Sequence, residues 1–375
     1  MTALTGLELR STITADGELR LELEEVTVPD PGPDEVVIQV EAAPINPSDL
    51  GLLIGPADLS TMHASGTPDR PVITAQVPTK RLAAVAARID QSLAVGNEGA
   101  GTVVAAGANA THLVGKRVGA MGLAMYAEYC LVPASGCSVL PDGATAAEGA
   151  AMFVNPLTAL SMIETMRSEG HTAIVHTAAA STLGQMLLRV CLADGIDLVA
   201  IVRSPEQVAL LREAGATHVL DSTAEDFDEA LADAITTTGA TIAFDAIGGG
   251  TLAGQILHAM EVGINRRGDG TYSRYGSDVK KQVYIYGGLD LGPTVLTRTF
   301  GMSWNCGGWL LMPFLAAAGP QVEQRLRQRV VDELTTLFAS DYAHHITLTE
   351  ALQPEVLAKY VRKQTGEKYL IVSPD

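Results

Sequence analysis

Residues 171–221 constrain what this chain can fold into more than any other stretch. A short apolar run at 172–177 suits a buried parallel strand. The turn Ala-Ala-Ala-Ser-Thr-Leu-Gly at 178–184 follows, with nothing bulky before the next helix. Leu183, Leu187, Val190 and Cys191 then recur at helical spacing, and Gly195 is placed to stop the helix. A second apolar strand at 197–202 ends in Arg203, and a further helix and strand carry the pattern to Asp221. The β-α-β portion takes about thirty residues, the usual length of a mononucleotide-binding half. The pattern predicts an α/β chain organised on a doubly wound parallel sheet.

The chemistry of the turn follows from its residue types. A diphosphate is held where backbone N–H groups and a helix N-terminus point at it and the chain comes close. Glycines usually allow this in a G-x-G-x-x-G pattern. Here the matching positions are Ala179, Ser181 and Gly184, so only the last glycine is kept. Alone, the turn leaves open an ordinary strand-to-helix connection. The end of the second strand adds a constraint. A carboxylate about twenty residues on would accept the ribose 2′-hydroxyl of NAD; this chain has Arg203 and Ser204, with Gln207 one helical turn on. Arginine forks onto phosphate and serine donates to it. The expected cofactor is NADP(H), and a solvated surface role for Arg203 is the alternative.

Bulk properties narrow the class. A chain of 375 residues suits two domains, and 47% apolar with 18% charged residues is globular rather than disordered. The net charge of −18 excludes the basic footprint that nucleic acid or an anionic membrane needs. No apolar run reaches eighteen residues and no signal pattern opens the chain, so a cytoplasmic protein is expected. The four cysteines, Cys130, Cys137, Cys191 and Cys306, form no Cys-x-x-Cys pair, which points to neither a disulfide framework nor a structural zinc lobe.

Along the rest of the chain, residues 19–26 and 35–42 read as a β-hairpin around the Pro-rich breaker at 28–34. Pro44 and Pro47 hold the next loop extended, and Ser48 or Asp49 can cap a short helix. Residues 58–93 contain a strand-like 71–77 and a helix-like 81–93 with no assignable chemistry; a lone His63 there reads as solvated or packed. Glycines from Gly96 to Gly119 give the rhythm of a small, strongly bent barrel, and 126–133 is a further strand. Helices are expected at 145–152 and 157–167. Beyond the nucleotide segment, strands are expected at 241–246 and 283–287, a long helix at 322–338 and a last strand at 368–372. Ligands of open α/β sheets sit beyond the carboxyl ends of strands, so Ala246, Ile247, Tyr286 and Gly287 are candidate cofactor neighbours. The polar stretch 265–281 precedes a strand and is expected to be an exposed loop at the opposite rim, despite its Arg266, Arg267, Lys280 and Lys281.

With those residues in view, the chain resembles the medium-chain dehydrogenase/reductase superfamily, nearest its zinc-independent quinone oxidoreductase and enoyl reductase branches. The resemblance rests on the order of Asn46-Pro47-Ser48-Asp49, Asn97-Glu98-Gly99-Ala100-Gly101, Gly115-Lys116-Arg117-Val118, Tyr126-Ala127-Glu128-Tyr129, Asn155-Pro156-Leu157-Thr158-Ala159, the 178–184 turn and Thr365-Gly366-Glu367-Lys368. It implies a GroES-like, partly open β-barrel catalytic domain formed by residues 1–152 and 323–375. A Rossmann NADP(H)-binding domain would take residues 153–322, with the cofactor in the cleft between the two. Relatives commonly associate through the nucleotide sheet, so a homodimer is implied.

The resemblance also assigns residues. Asn46 and Thr158 match positions lining the nicotinamide and ribose, and Asn46 carries a catalytic part. Ala180, Ser181, Thr182, Leu183 and Gly184 match the pyrophosphate turn, Arg203 the 2′-phosphate position, and Ala246, Ile247, Gly248, Tyr286 and Gly287 the strand ends beside the ribose and nicotinamide. Tyr126 as a catalytic residue and Trp304 as a wall of the substrate pocket are further candidates, with a core role open for both.

Zinc-dependent members carry Cys where this chain has Asn46 and His where it has Asn97, so no metal is expected. Without a Lewis acid, hydride addition from NADPH to a quinone or an activated C=C remains feasible, because such an acceptor delocalises the incoming charge. Enoyl-thioester reductases of this branch place a Tyr eleven residues after the loop Asn; here that residue is Ala57. The expected activity is therefore NADPH-dependent reduction of a small-molecule quinone or enone acceptor. An NADP(H)-binding sensor or accessory protein with little catalysis is the alternative.

Overall fold

The computed structural model describes residues 4–268 and 273–373. They form two compact units, one of Met1–Val154 with Arg327–Asp375 and one of Asn155–Leu326.

The second unit is built on a six-stranded sheet. Its elements run β1 (Ala173–His176), α1 (Thr182–Asp194), β2 (Asp197–Val202), α2 (Pro205–Glu213), β3 (His218–Asp221), α3 (Phe227–Thr238), β4 (Ile242–Asp245), α4 (Leu252–Arg267), β5 (Lys281–Ile285) and β6 (Trp304–Gly308). The strands lie in the order β3-β2-β1-β4-β5-β6, with every pair parallel. This is the doubly wound order, whose direction reverses between β1 and β4. All four residues of β1 and of β4 are buried, as both faces of such a sheet are covered by helices. Val175, Val199, Ile201 and Val283 on the strands pack with Phe227, Leu231, Ile256 and Met260 on the helices.

The expected exposed loop at 265–281 is corrected in part. Asn265–Arg267 complete α4, and Arg266 bonds Glu229 and Asp233 of α3. Lys281 opens β5 fully buried. Its Nζ lies 2.7 Å from Glu261 Oε2 and donates to Ser277 Oγ at 2.9 Å and Val279 O at 3.0 Å. Burial opposes ionisation of Glu261, but hydrogen bonds from Lys281 and Ser277 outweigh it and hold the carboxyl below its usual range. Residues 269–272 lie outside the described residues.

The first unit carries two sheets. One has the order Asp58–Thr67, Arg70–Gln76, Glu18–Thr27, Thr5–Ile13, Leu93–Ala94. The other has Cys137–Val139, Arg117–Met121, Glu98–Ala106, Glu35–Pro44, Tyr369–Val372, His344–Ile346, with Tyr129–Pro133 also pairing onto Glu35–Pro44. Leu9 N donates to Tyr126 O and Glu128 N to Leu7 O, both at 2.8 Å, stitching the sheets into a barrel around Leu9, Leu21, Val36, Ile38, Val103 and Ile371.

The hairpin expected from 19–26 and 35–42 is not formed. Glu18–Thr27 pairs with Thr5–Ile13 and Arg70–Gln76, whereas Glu35–Pro44 belongs to the other sheet. The linker holds Pro29, Pro31 and Pro33, which lack N–H donors and keep it extended, so it crosses between sheets instead of turning. The helix expected at 81–93 shrinks to Thr79–Leu82 and a 3-10 stretch Ala83–Arg88, kinked at Val85 with φ −118° and ψ 15°. The long helix at 322–338 is observed as Pro320–Asp332 and gives way to turns. The strand expected from Tyr126 begins at Tyr129.

Candidate functional site

In the second unit, the site-forming features gather at the carboxyl ends of β1, β2, β4 and β5. Ala178 leaves β1 at φ 51°, a left-handed conformation that costs a residue with a Cβ about 1–2 kcal/mol. Ala179 N is tied to Ile201 O at 3.1 Å, which seats the turn on β2. Ser181 is the N-cap of α1; its Oγ accepts from Gly184 N at 3.1 Å and keeps its own proton to donate. A Cβ on Gly184 would stand 2.2 Å from Ala179 O, so the one glycine kept from the pattern is the one that lets helix and strand pack closely. Helix geometry leaves the first-turn N–H groups of Thr182 and Leu183 without intrahelical acceptors, and Ala180 O receives Gln185 Nε2 at 2.9 Å. The turn therefore fits an anion held by backbone donors.

Arg203 follows β2 with an exposed side chain. Ser204 caps α2 by accepting from Gln207 N at 3.4 Å, and Gln207 Oε1 accepts from Arg203 N at 3.1 Å. Ser204 and Gln207 thus brace the backbone beneath Arg203.

At the switch between β1 and β4, two residues unnoticed in the sequence do most of the holding. Thr177 Oγ1 donates to Asp245 Oδ1 at 2.7 Å and accepts from Ala246 N at 2.8 Å. Asp245 accepts Ile247 N at 2.9 Å and Gly248 N at 3.1 Å. The N–H groups of Ala246, Ile247 and Gly248 are therefore taken within the protein, leaving their surfaces rather than their donors for a ligand. An Asp closing a strand before a Gly-rich turn was the available signal. A Cβ on Gly287 would meet Ala246 O at 2.7 Å, so the two strand ends approach as only glycine permits. Thr158 is buried within the helix Val154–Ser168.

Tyr286 points its hydroxyl inward to His176 Nε2 at 2.8 Å, and the rings stack with centroids 5.7 Å apart. Burial pushes His176 down to about 3, so the imidazole is neutral, and burial with nearby Asp245 pushes the Tyr286 phenol up. Tyr286, Gly287, Trp309, Leu310 and Pro313 line an open groove of about 600 Å³. Trp304 is not among them. It opens β6 at the amino end and packs edge-on against Phe300, with centroids 5.0 Å apart, while Trp309 follows the carboxyl end of the same strand. At about 3.3 Å per residue, the length of β6 separates the two rims. The indole of the groove is Trp309, not the expected Trp304.

In the first unit, three distant segments meet at one end of the larger sheet. Asn46 N donates to Asp49 Oδ2 and Asn97 N to Asp49 Oδ1, each at 2.8 Å, so Asp49 ties two loops together rather than capping the Leu50–Leu53 turn. Asn46 Nδ2 donates to Glu98 Oε1 at 2.8 Å, and Glu98 Oε2 accepts Phe153 N at 2.8 Å and Val154 N at 2.9 Å. Asn46 Oδ1 is buried with no hydrogen-bond partner. Asn97 turns its amide to Ser48 Oγ at 3.0 Å.

The last strand pairs Leu370 with Pro44 and Ile371 with Ala43, and that register continued places Lys368 opposite Asn46. Lys368 Nζ is buried, makes no hydrogen bond, and lies 5.0 Å from the centre of the Tyr342 ring. Burial pushes Asp49 up to about 6 and Glu98 up to about 7, and pushes Lys368 down to about 8, with the opposite charges partly restoring each. Lys368 closes the Thr365-Gly366-Glu367-Lys368 motif, but no sequence pattern assigns it or Tyr342 a place near Asn46 and Glu98.

Tyr126, expected as a catalytic candidate, is a core residue: fully buried among barrel side chains, with its hydroxyl donating to Pro44 O at 3.1 Å. Burial first, then Asp49, pushes its phenol up, so it holds its proton. Among the described residues, no three His, Cys, Asp or Glu side chains are grouped to hold a metal ion, and no helix is long and apolar enough to cross a membrane.

A doubly wound nucleotide-type sheet and a small two-sheet barrel define the architectural class. Comparison with known proteins gives the family. Residues 32–142 match the alcohol dehydrogenase GroES-like domain and residues 182–264 the zinc-binding dehydrogenase family. A solved Mesorhizobium loti protein assigned as an NADPH:quinone reductase is 28% identical, with full coverage of both chains and a TM-score of 0.74. A quinone oxidoreductase of Pseudomonas aeruginosa is 30% identical over 41% of this chain and 49% of its own length. The mitochondrial enoyl-[acyl-carrier-protein] reductase of Xenopus tropicalis is 29% identical over 53% of this chain and 51% of its own length. The chain spans about half the length of the curated relatives it matches. It belongs to the medium-chain dehydrogenase/reductase superfamily.

Proposed function

We propose that this chain is a zinc-independent, NADPH-dependent oxidoreductase that delivers hydride to a quinone or an activated C=C. The observation that carries the reading is the pair formed by the close-packed 178–184 turn and the exposed Arg203 at the end of β2, in a sheet of the doubly wound order. Relatives named as quinone and enoyl reductases support the acceptor class.

When bound, the dinucleotide supplies the hydride. The N–H groups of Thr182 and Leu183, with the Ser181 hydroxyl, hold its diphosphate, and Arg203, braced by Ser204 and Gln207, holds the 2′-phosphate. The groove beside Tyr286 and Trp309 offers flat apolar walls for an aromatic ring. Thr158, Ala246, Ile247, Gly248 and Gly287 are the proposed neighbours of the dinucleotide's ribose and nicotinamide. Asn46 is the carboxamide proposed to hydrogen-bond the acceptor. Because Asn46 and Asn97 stand where zinc-dependent members carry Cys and His, reduction proceeds without a metal, and elemental analysis of the purified protein is expected to find no stoichiometric zinc.

The same proposal places the protein in the cytoplasm, where four unpaired thiols persist, and joins two copies through the open edge of β6. Purified protein should oxidise NADPH with a panel of quinones and α,β-unsaturated ketones. Arg203→Ala should cut the preference for NADPH over NADH about 10- to 100-fold, as loss of one charge-assisted phosphate contact does. Absence of turnover with every acceptor, or a preference untouched by that substitution, removes the reading.

A further inference from the structure

The two oxygens of Glu98 are not equivalent. Oε2 is filled by the N–H groups of Phe153 and Val154, whereas Oε1 faces only the Asn46 amide nitrogen. A proton arriving at this carboxyl therefore settles on Oε1, where it opposes another donor. The conflict is relieved when the Asn46 carboxamide turns half a revolution about its last torsion, so that Oδ1 accepts from Glu98 and the NH₂ takes the place of Oδ1. That place is special, because Oδ1 is buried there with no partner in the protein. A buried, unmatched acceptor is costly unless something supplies a donor.

We propose that Glu98 is a positioning residue whose protonation decides which face Asn46 presents: a carbonyl oxygen that takes a hydroxyl, or an NH₂ that takes a carbonyl or the oxyanion formed from it. The inference rests on the proposal above that Asn46 hydrogen-bonds the acceptor. With Glu98 ionised, the site favours a hydroxyl-bearing partner, such as a hydroquinone; with Glu98 protonated, it favours the oxidised, carbonyl-bearing substrate and the charge that develops on it during hydride addition. The groups around Glu98 suit such a selector. Burial has moved its titration up to about 7, the Val154 N–H and Lys368, just before the last strand, oppose the shift, and Tyr342 and Tyr126 face it as neutral phenols. Asp49 acts on the same lysine.

Glu98→Gln separates the states. The two backbone donors require the amide oxygen of the new side chain, so its NH₂ faces Asn46 and locks the carboxamide as in the protonated enzyme. Wild-type kcat/KM for a quinone is expected to fall about tenfold from pH 6 to pH 8.5, with a midpoint near 7, whereas Glu98→Gln keeps its pH 6 value throughout. Independently of turnover, the side-chain NH₂ signals of Asn46 in ¹⁵N-asparagine-labelled wild type should titrate with the same midpoint. Asn46 signals that stay fixed between pH 5.5 and 8.5, or a Glu98→Gln enzyme that retains the wild-type limb, would overturn the selector. Wild type inert toward every acceptor removes the reductase reading instead, and the labelled-asparagine titration still decides whether the carboxamide turns.

Discussion

Each unit buries one lysine beside one glutamate, and the two pairs are built to opposite plans. Lys281 in the nucleotide-type unit contacts Glu261 at 2.7 Å, and its remaining protons reach Ser277 and a backbone carbonyl. Glu261 remains ionised against burial. Lys368 in the barrel unit is only half-buried as a residue, yet its Nζ is hidden and makes no hydrogen bond, and its carboxylate neighbours are drawn toward neutrality. The first pair is saturated and can only hold α4 to β5. The second is left unsatisfied beside Asn46, and groups with displaced titrations and unmatched atoms are where chemistry is commonly performed. Burial alone therefore does not distinguish a strut from a site; the count of satisfied partners does.

The comparison is broken most directly by cutting each lysine. Lys281→Met leaves a charged Glu261 without its counter-ion and should cost about 3–5 kcal/mol in urea unfolding at pH 7. Lys368→Met should cost far less, because Glu98 can take up a proton; instead the midpoint of the Asn46 titration should move upward by about one unit. Equal losses of stability would show that the two pairs are the same device.

A second test addresses the turn. Gly184→Ala drives a methyl into Ala179 O, so α1 must shift; NADPH affinity should fall at least tenfold by fluorescence titration, with a stability loss of about 1–3 kcal/mol.

The smallest effect is the pH dependence of stability. Glu98 titrates higher in the folded protein than in the unfolded chain, so its contribution is complete below about 4.5 and is lost as pH rises through about 7. Lys368 titrates lower than in the unfolded chain, so its contribution is present above about 10.5 and is lost as pH falls through about 8. The nest is thus least favourable to folding between about 7 and 8. Glu98→Gln should flatten the acidic arm of that curve in thermal melts and leave the alkaline one.

Much of the fold was legible because it rests on local regularities. The second strand at 197–202 is observed with those bounds, and Gly195 ends α1 at φ 66°. Gly184, the glycine kept from the pattern, stands where a Cβ would meet Ala179 O at 2.2 Å. The misreadings were of another kind. The 28–34 segment carries every mark of a turn, yet the strand before it pairs with Thr5–Ile13 and Arg70–Gln76, and the strand after it pairs with Glu98–Ala106, Tyr129–Pro133 and Tyr369–Val372. The two tryptophans, Trp304 and Trp309, differ only in which end of one short strand they occupy. Those choices depend on which strand lies beside which, and no periodicity encodes that.

By itself the sequence determined the α/β class and the nucleotide-type turn with its arginine, because each is a property of neighbours along the chain. Only the tertiary structure decided that Asn46, Glu98 and Lys368 share one dry corner, that Thr177 and Asp245 occupy the donors of the strand ends, and that Tyr126 belongs to the core. Those facts depend on strand register and on the exclusion of water, which shifts titrations and makes an unmatched oxygen matter; both arise from contacts between residues tens to hundreds of positions apart.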